Sequence, residues 1–351
     1  MICNENKKTK DNVNIMRIRT SAVALCAAAL AAPALAPTAG AAEVAPGSPM
    51  RMDEYSEIAA SLPESMPDEY KRSTCSQGVP GTVTLADGTQ KDILVSAAHC
   101  VYGIQGISEA GDAVYLPTPE GDKVIGYADA GGPLVAEEEG ATPLASFNQA
   151  FNSPDWGTVE LEPGVSATRV VDSVDAQGHS HGDPVVLTGV RDYPDLGFWE
   201  ISADNFGQPI CKDGNTSGRS CGVQLFRTQN GLWSAGLNYD NGDSGGVNYD
   251  PQTGEALGVS SMAFGPIGRA QPIDRAIQDG YGIEDGQVNE HFALPDSTEA
   301  ADATRTQYDD MQGAIAWYEE NPEQAPEIPD PFDMLAEQLQ TSLDEALGGL
   351  F

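Results

Sequence analysis

The chain has 351 residues, and 53 Asp and Glu against 18 Lys and Arg give it a formal net charge of −35 at pH 7. Charged residues make up only 20%, so the imbalance comes largely from scarce cations. Such acidity argues against nucleic acid and anionic membrane surfaces as partners, suits solubility, and says nothing about the fold.

The length allows one large domain or two ordinary ones. At the amino end, Lys7, Lys8, Lys10, Arg17 and Arg19 precede an alanine-rich apolar run from Ala22 to about Ala36, and Ala39-Gly40-Ala41 offers an A-x-A cleavage site. This pattern predicts a secretory signal peptide over residues 1–42, starting functionally at Met16. The apolar run is too short for a spanning helix followed by stop-transfer charges. Leu25 stands where a lipobox before Cys26 needs a small residue, so lipidation is not expected. Cys3 and Cys26 leave with this segment, and the exported chain keeps Cys75, Cys100, Cys211 and Cys221. An even number in an exported chain points to disulfides, with three connectivities open. Zinc is the competing reading, but no C-x-x-C or close Cys/His spacing favours it.

Residues 43–72 are acidic and proline-punctuated, with a helical turn or two around Asp53–Ser61 limited by Pro63 and Pro67. They read as a leader or pro-segment, with Lys71-Arg72 a candidate processing point. From Cys75 onward, short apolar runs are separated by Gly, Pro, Asn and Asp: Thr82–Leu85, Ile93–Ser96, Ala113–Leu116, Lys123–Tyr127, Thr158–Leu161 and Pro184–Leu187. Gly222–Phe226, Leu232–Leu237, Val247–Tyr249 and Ala256–Ser260 continue the series, with hairpin turns at Ala86-Asp87-Gly88 and Gln229-Asn230-Gly231. Many short strands with almost no helical periodicity predict an all-β barrel or sandwich, with a short closing helix at Ile273–Asp279.

Residues 291–351 form an acidic tail in which Arg305 is the sole cation. Two helical pieces are expected, one around Ala303–Glu320 and one starting at Asp330-Pro331, an N-cap followed by proline. Leu335, Leu339, Leu343, Ala346 and Leu347 share one face of the second, and Gly348-Gly349 end it. The tail reads as packing on its own domain or as disordered. Docking of its helix on a partner or the cell envelope is the competing reading.

The stretch with most chemistry is Asn241-Gly242-Asp243-Ser244-Gly245-Gly246. Glycines around one serine let the backbone bend and bring N–H groups beside a hydroxyl, as acyl transfer needs. A polar turn would use the same residues. A base decides between them, and the histidines are His99, His179, His181 and His291. His99 ends a buried-strand run beside a cysteine. His179-Ser180-His181 could hold a metal, but with only Asp175 and Asp183 close in sequence a loop pair is favoured.

Ser96-Ala97-Ala98-His99-Cys100 followed by Gly242-Asp243-Ser244-Gly245-Gly246 resembles the chymotrypsin-like (trypsin-like) serine peptidases. The resemblance implies two six-stranded antiparallel β-barrels over residues 73–290, a peptide substrate and no metal or organic cofactor. It implies His99 as base and Ser244 as nucleophile, with the N–H groups of Gly242 and Ser244 as oxyanion hole. Asp155, leading into Trp156–Leu161, fits the orienting acid better than Asp112, Asp129 or Asp172, and His99, Asp155, Ser244 is the family's order.

The block Cys211–Gly222 is similar to a loop of the secreted bacterial streptogrisin and α-lytic types. That likeness implies disulfides Cys211–Cys221 and Cys75–Cys100, and an ion pair of Lys212 with Asp243. The chain departs from the family where Asp240 replaces a cysteine and Val247 a proline. By position Asn238 falls at the base of the specificity pocket, with Ser261, Met262 and Ala263 as its wall. These imply a small or medium uncharged side chain before the scissile bond; a changed loop would instead bring in Asp240 and favour Lys or Arg. The expectation is a secreted monomeric endopeptidase. The alternatives are a non-catalytic envelope or binding protein on the same fold, and an esterase using the same triad.

Overall fold

The structure, a computed structural model, describes residues 42–132 and 151–325. The expected signal peptide, apart from Ala42, and the expected helix from Asp330 onward lie outside the described residues. The chain is all-β in its body, as the strand spacing predicts.

Strands β1 (Pro49–Tyr55), β2 (Ser73–Ser76), β3 (Val79–Thr84), β4 (Gln90–Ser96), β5 (Glu109–Thr118), β6 (Gly121–Gly132) and β7 (Trp156–Leu161) build an antiparallel sheet. With β17 (Phe292–Ala293) at one edge, its order is β17-β3-β4-β7-β6-β5-β1-β2. Because β2 and β3 are nearly consecutive in the chain yet lie near opposite ends of this order, the sheet rolls around its core. Met50, Met52, Leu94, Val114, Leu116, Ile125 and Val159 fill that core. Local chemistry sets the hairpins: at the β3–β4 turn Gly88 adopts φ +84° and Thr89 N donates to Asp87 Oδ1 at 2.9 Å.

Short strands β8 (Val170–Val171), β9 (Val185–Val186) and β10 (Gly189–Val190) connect the halves. The second sheet contains β11 (Pro209–Lys212), β12 (Ser220–Thr228), β13 (Gly231–Ala235), β14 (Val247–Tyr249), β15 (Glu255–Phe264) and β16 (Ile267–Pro272). Its order β15-β14-β11-β12-β13-β16 is closed by pairing of β15 with β16, giving a six-stranded antiparallel barrel, with β10 added alongside β15. Ile210, Leu232, Leu237, Leu257 and Ala270 form its centre. A further apolar cluster joins the halves, drawing Val79, Ile93 and Val95 from one and Val247, Tyr249 and Val259 from the other.

The helices are short: α1 (Glu57–Ala60), α2 (Ala98–Val101), α3 (Ile273–Tyr281), α4 (Val288–His291) and α5 (Gln307–Glu320). Residues 49–55, inside the stretch read as a leader, form a strand between β5 and β2. Both faces of β1 are covered, with Met50 and Met52 in the core and Arg51 buried against Asp310 of α5 at 2.9 Å. In the described part of the tail, Arg305 pairs with Asp122 and Asp310, and a Thr306–Asp309 capping box starts α5.

Candidate active site

Strand β4 delivers its last residue, Ser96, opposite Gly157 of β7. The chain then turns through Ala97 into the single turn of α2, which carries His99. The disulfide Cys75–Cys100 fastens this turn to β2. Asp155 lies just before β7 and so beside His99. Its Oδ1 accepts from His99 N at 3.0 Å, and Oδ2 stands 2.9 Å from Nδ1. Asp155 is fully buried, accepts from Ser261 Oγ at 2.5 Å, and donates its own N–H to Gln271 Oε1 at 3.0 Å.

Burial works against the Asp155 charge, but His99, the Ser261 hydroxyl and Arg269 outweigh it and hold the carboxyl at about 2. Burial likewise disfavours the imidazolium of His99. Asp155 overcomes that by charge and hydrogen bonding, so His99 sits above the ordinary histidine value, with Arg269 opposing. An ionised carboxylate only accepts, so Nδ1 carries the proton and Nε2 keeps the basic lone pair.

The serine loop is built around a buried ion pair. Asp243 Oδ2 accepts from Lys212 Nζ at 2.7 Å, Ser217 Oγ at 2.5 Å and Asp240 N at 2.9 Å, while Oδ1 accepts from the N–H groups of Thr216 and Ser217. Lys212 is fully buried, and burial pulls its ammonium below the ordinary lysine value against the pull of Asp243. The Cys211–Cys221 disulfide closes the loop that supplies these donors.

The same loop orients peptide planes. Thr216 Oγ1 donates to the Asn241 carbonyl at 2.8 Å, and Asn215 Nδ2 and Ser76 Oγ both donate to the Gly242 carbonyl, at 2.7 and 2.8 Å. Gly246 N donates to the Asp243 carbonyl at 3.1 Å. Since N–H and C=O point opposite ways across a trans peptide, the N–H groups of Gly242 and Ser244 are turned away from these anchors. Neither has an acceptor among the described residues, whereas Asp240, Asn241, Asp243, Gly245 and Gly246 all use theirs. Gly242 reaches this conformation at φ +100°, where a Cβ would stand 2.3 Å from Thr216 Oγ1.

Ser244 is half-buried. Its carbonyl accepts from Ser76 N at 2.8 Å. Gly245, at φ +80°, lies so close to the end of β4 that a Cβ would stand 2.1 Å from Ser96 Oγ. The serine loop therefore packs on the end of the strand that leads into the His99 turn. No hydrogen bond joins Ser244 Oγ to His99 Nε2, and neither atom has another partner among the described residues.

A cavity of about 430 Å³ opens beside Ser244. Tyr239, Asp240, Ser261, Met262, Ala263 and Gly265 contribute to its wall. Ser261, Met262 and Ala263 lie there as expected, but Asn238 is exposed and not part of the lining. Its backbone is tied outward, its N–H to Ser220 Oγ and its carbonyl to Ser217 and Ser220. Asp240, from the same loop, is part of the lining. Beyond Ser260, β15 pairs with β16 on one side and has no strand on the other among the described residues. That leaves an edge to which an extended chain can add.

Sequence reasoning missed Thr216, Asn215 and Ser76 as supports of the serine loop, and Arg269 and Gln271 behind Asp155. Thr216 and Asn215 lie in the recognised cysteine-bounded loop, while Ser76, Arg269 and Gln271 carry no motif. Asp175 Oδ2 lies within hydrogen-bond distance of His179 Nδ1 at 3.3 Å and of His181 Nε2 at 2.8 Å. The one cluster with metal-ligand spacing among the described residues is Cys75, His99 and Cys100, and its sulfurs are bonded to each other.

No protein-family model matches the chain, and no curated protein sequence matches it. Among solved structures it is similar to Thermobifida fusca protease A, at 18% identity over 72% of this chain and 100% of that one, with a TM-score of 0.41. A Nocardiopsis protease gives 18% identity over 68% and 97%, with a TM-score of 0.40. A glutamic-acid-specific serine protease, described as using a histidine triad in substrate binding, gives 20% over 68% and 98%, also at 0.40.

Proposed function

We propose that the protein is a secreted serine endopeptidase that works through an acyl-enzyme. The observation that carries this reading is the contact of buried Asp155 with His99 Nδ1 at 2.9 Å. It leaves Nε2 as the base on a turn against which the Ser244 loop packs. Ser244 Oγ attacks the substrate carbonyl while His99 Nε2 takes its proton. The tetrahedral oxyanion is held by the N–H groups of Gly242 and Ser244. Collapse breaks the C–N bond, and His99 returns the proton to the leaving amine. Water then attacks the ester with His99 as base again, freeing the acid and Ser244. No cofactor takes part, and a monomer suffices.

The free edge at Ser261–Ala263 fits an extended peptide, with the residue before the scissile bond entering the adjacent cavity. Ala263 narrows that cavity and fits a small or medium uncharged side chain. A second reading has its own observation: Asp240, not Asn238, lines the wall, and a carboxylate on a chain of this net charge attracts Lys or Arg. A non-catalytic binder or an esterase would share the geometry. Among the described residues no helix is long and apolar enough to cross a membrane.

A peptide library cut by the secreted protein, read by mass spectrometry, tests the proposal. Cleavage lost in Ser244→Ala supports it. Turnover of small esters with no peptide cut favours the esterase, and no turnover of either favours the binder.

A further inference from the structure

Arg269 lies in the middle of β16, opposite Met262 of β15 and Trp233 of β13, and is fully buried. Its Nε and Nη2 donate to the Asn230 carbonyl at 3.2 and 2.6 Å, Nη2 also donates to the Ser153 carbonyl, and Nη1 reaches Ser261 Oγ at 3.4 Å. Among the described residues it forms no ion pair. Burying a guanidinium without a contacting carboxylate is strongly unfavourable, and carbonyl anchors alone could be met by a neutral donor. The nearest compensation runs through Ser261, whose hydroxyl accepts from Arg269 and donates its single proton to Asp155 Oδ2 at 2.5 Å.

We propose that Arg269 is a positioning residue for the proposed triad: it fixes the Ser153–Asp155 segment, keeps Asp155 ionised through Ser261, and offsets part of the carboxylate charge felt by His99. This rests on the reading of His99 as the general base. The charged groups acting on His99 are Asp155, leading into β7, and Arg269 from β16. Tyr102, next to α2, faces Asp129 of β6 and Asp112 of β5. Without a counter-cation, Asp155 binds the imidazolium more strongly and the base is freed only at higher pH. Burial lowers the Arg269 guanidinium to about 10 against the pull of Asp155, so it stays charged throughout the neutral range.

The test is titration of the His99 imidazole by NMR in the wild-type chain and in Arg269→Met, Arg269→Gln and Arg269→Lys, with fold checked by near-UV circular dichroism. Gln keeps amide donors for the carbonyls without the charge, and so covers a Met variant that fails to fold. The neutral variants are expected to titrate about 0.5–1 pH unit higher than wild type, with Lys close to wild type. The acid limb of the pH–rate profile should move by the same amount. His99 titrating alike in wild type and Gln, or Lys behaving as Gln, would reduce Arg269 to a staple and overturn the proposal. The NMR readout needs no substrate. A shifted titration without any peptide or ester turnover would therefore sink the peptidase reading and leave only the charge coupling of Arg269 to His99 standing.

Discussion

The Thr216 hydroxyl donates to the Asn241 carbonyl at 2.8 Å, and that bond fixes the direction of the Gly242 N–H on the other edge of the same peptide. Thr216 also reaches Gln307 Oε1 at 3.2 Å, so the first residue of α5 touches the same support. A donor aimed in advance at a developing oxyanion lowers the barrier because it needs no reorganisation during the reaction.

Thr216→Val removes the anchor at nearly constant volume. The peptide plane is then free to turn, and kcat is expected to fall about 10- to 100-fold, short of the 10²–10³ typical of deleting a donor outright. KM should change little, because the donor acts mainly in the transition state. Steady-state kinetics on one peptide substrate separates the two constants.

Lys212→Met strands the Asp243 carboxylate, which is 1% exposed. Breaking a buried pair from one side is expected to cost about 3–5 kcal/mol. Urea unfolding measures this, and adding Asp243→Asn should recover much of the loss by removing the stranded charge.

The pH dependence follows from the pair Asp155–His99. The base must be neutral, and His99 lies above 6.5, so activity should fall on the acid side with a midpoint above that value. For stability the signs differ. The His99 contribution is complete below 6.5 and is lost as pH rises through its folded value. The Asp155 contribution is present above 3.8 and disappears as pH falls toward about 2. Asp155→Asn should leave the wrong tautomer and reduce kcat by about 10⁴ as in the trypsin-type triad. A pH–rate profile with urea midpoints across the same range checks both.

Asp240→Asn decides between the two pocket readings. If the wall carboxylate binds Lys or Arg before the scissile bond, kcat/KM for such peptides should fall about 10- to 100-fold, the cost of 1.4 to 2.7 kcal/mol of lost charge pairing. If Ala263 selects small uncharged side chains, those substrates should be cut as before and basic ones poorly by both proteins.

Strand identity, the two hairpin turns and the juxtaposition of Asp155 with His99 were legible because each depends on short-range pattern: apolar runs, turn residues, and an acid heading β7, the neighbour of the strand that leads into the His99 turn. The role of β1 was not. Pro49–Met52 is buried on both sides, so Arg51 interrupts the apolar run that marks a strand, and its partner Asp310 is distant in sequence. Arg72 of the candidate processing pair is likewise engaged, by Asp53 and Asp122. The placement of Asn238 outside the cavity lining was not legible for a related reason. Without a cysteine at Asp240, the path from β13 to Ser244 is set by Asn238 bonding to Ser217 and Ser220, which no linear spacing encodes.

The most direct measurement is labelling of the folded chain with a fluorophosphonate, followed by peptide mapping. The expected result is a single adduct on Ser244, suppressed in His99→Ala and absent in Ser244→Ala, both variants remaining folded. A folded wild-type chain that leaves Ser244 unlabelled, or that carries the adduct on another serine, would contradict the assignment of Ser244 as nucleophile.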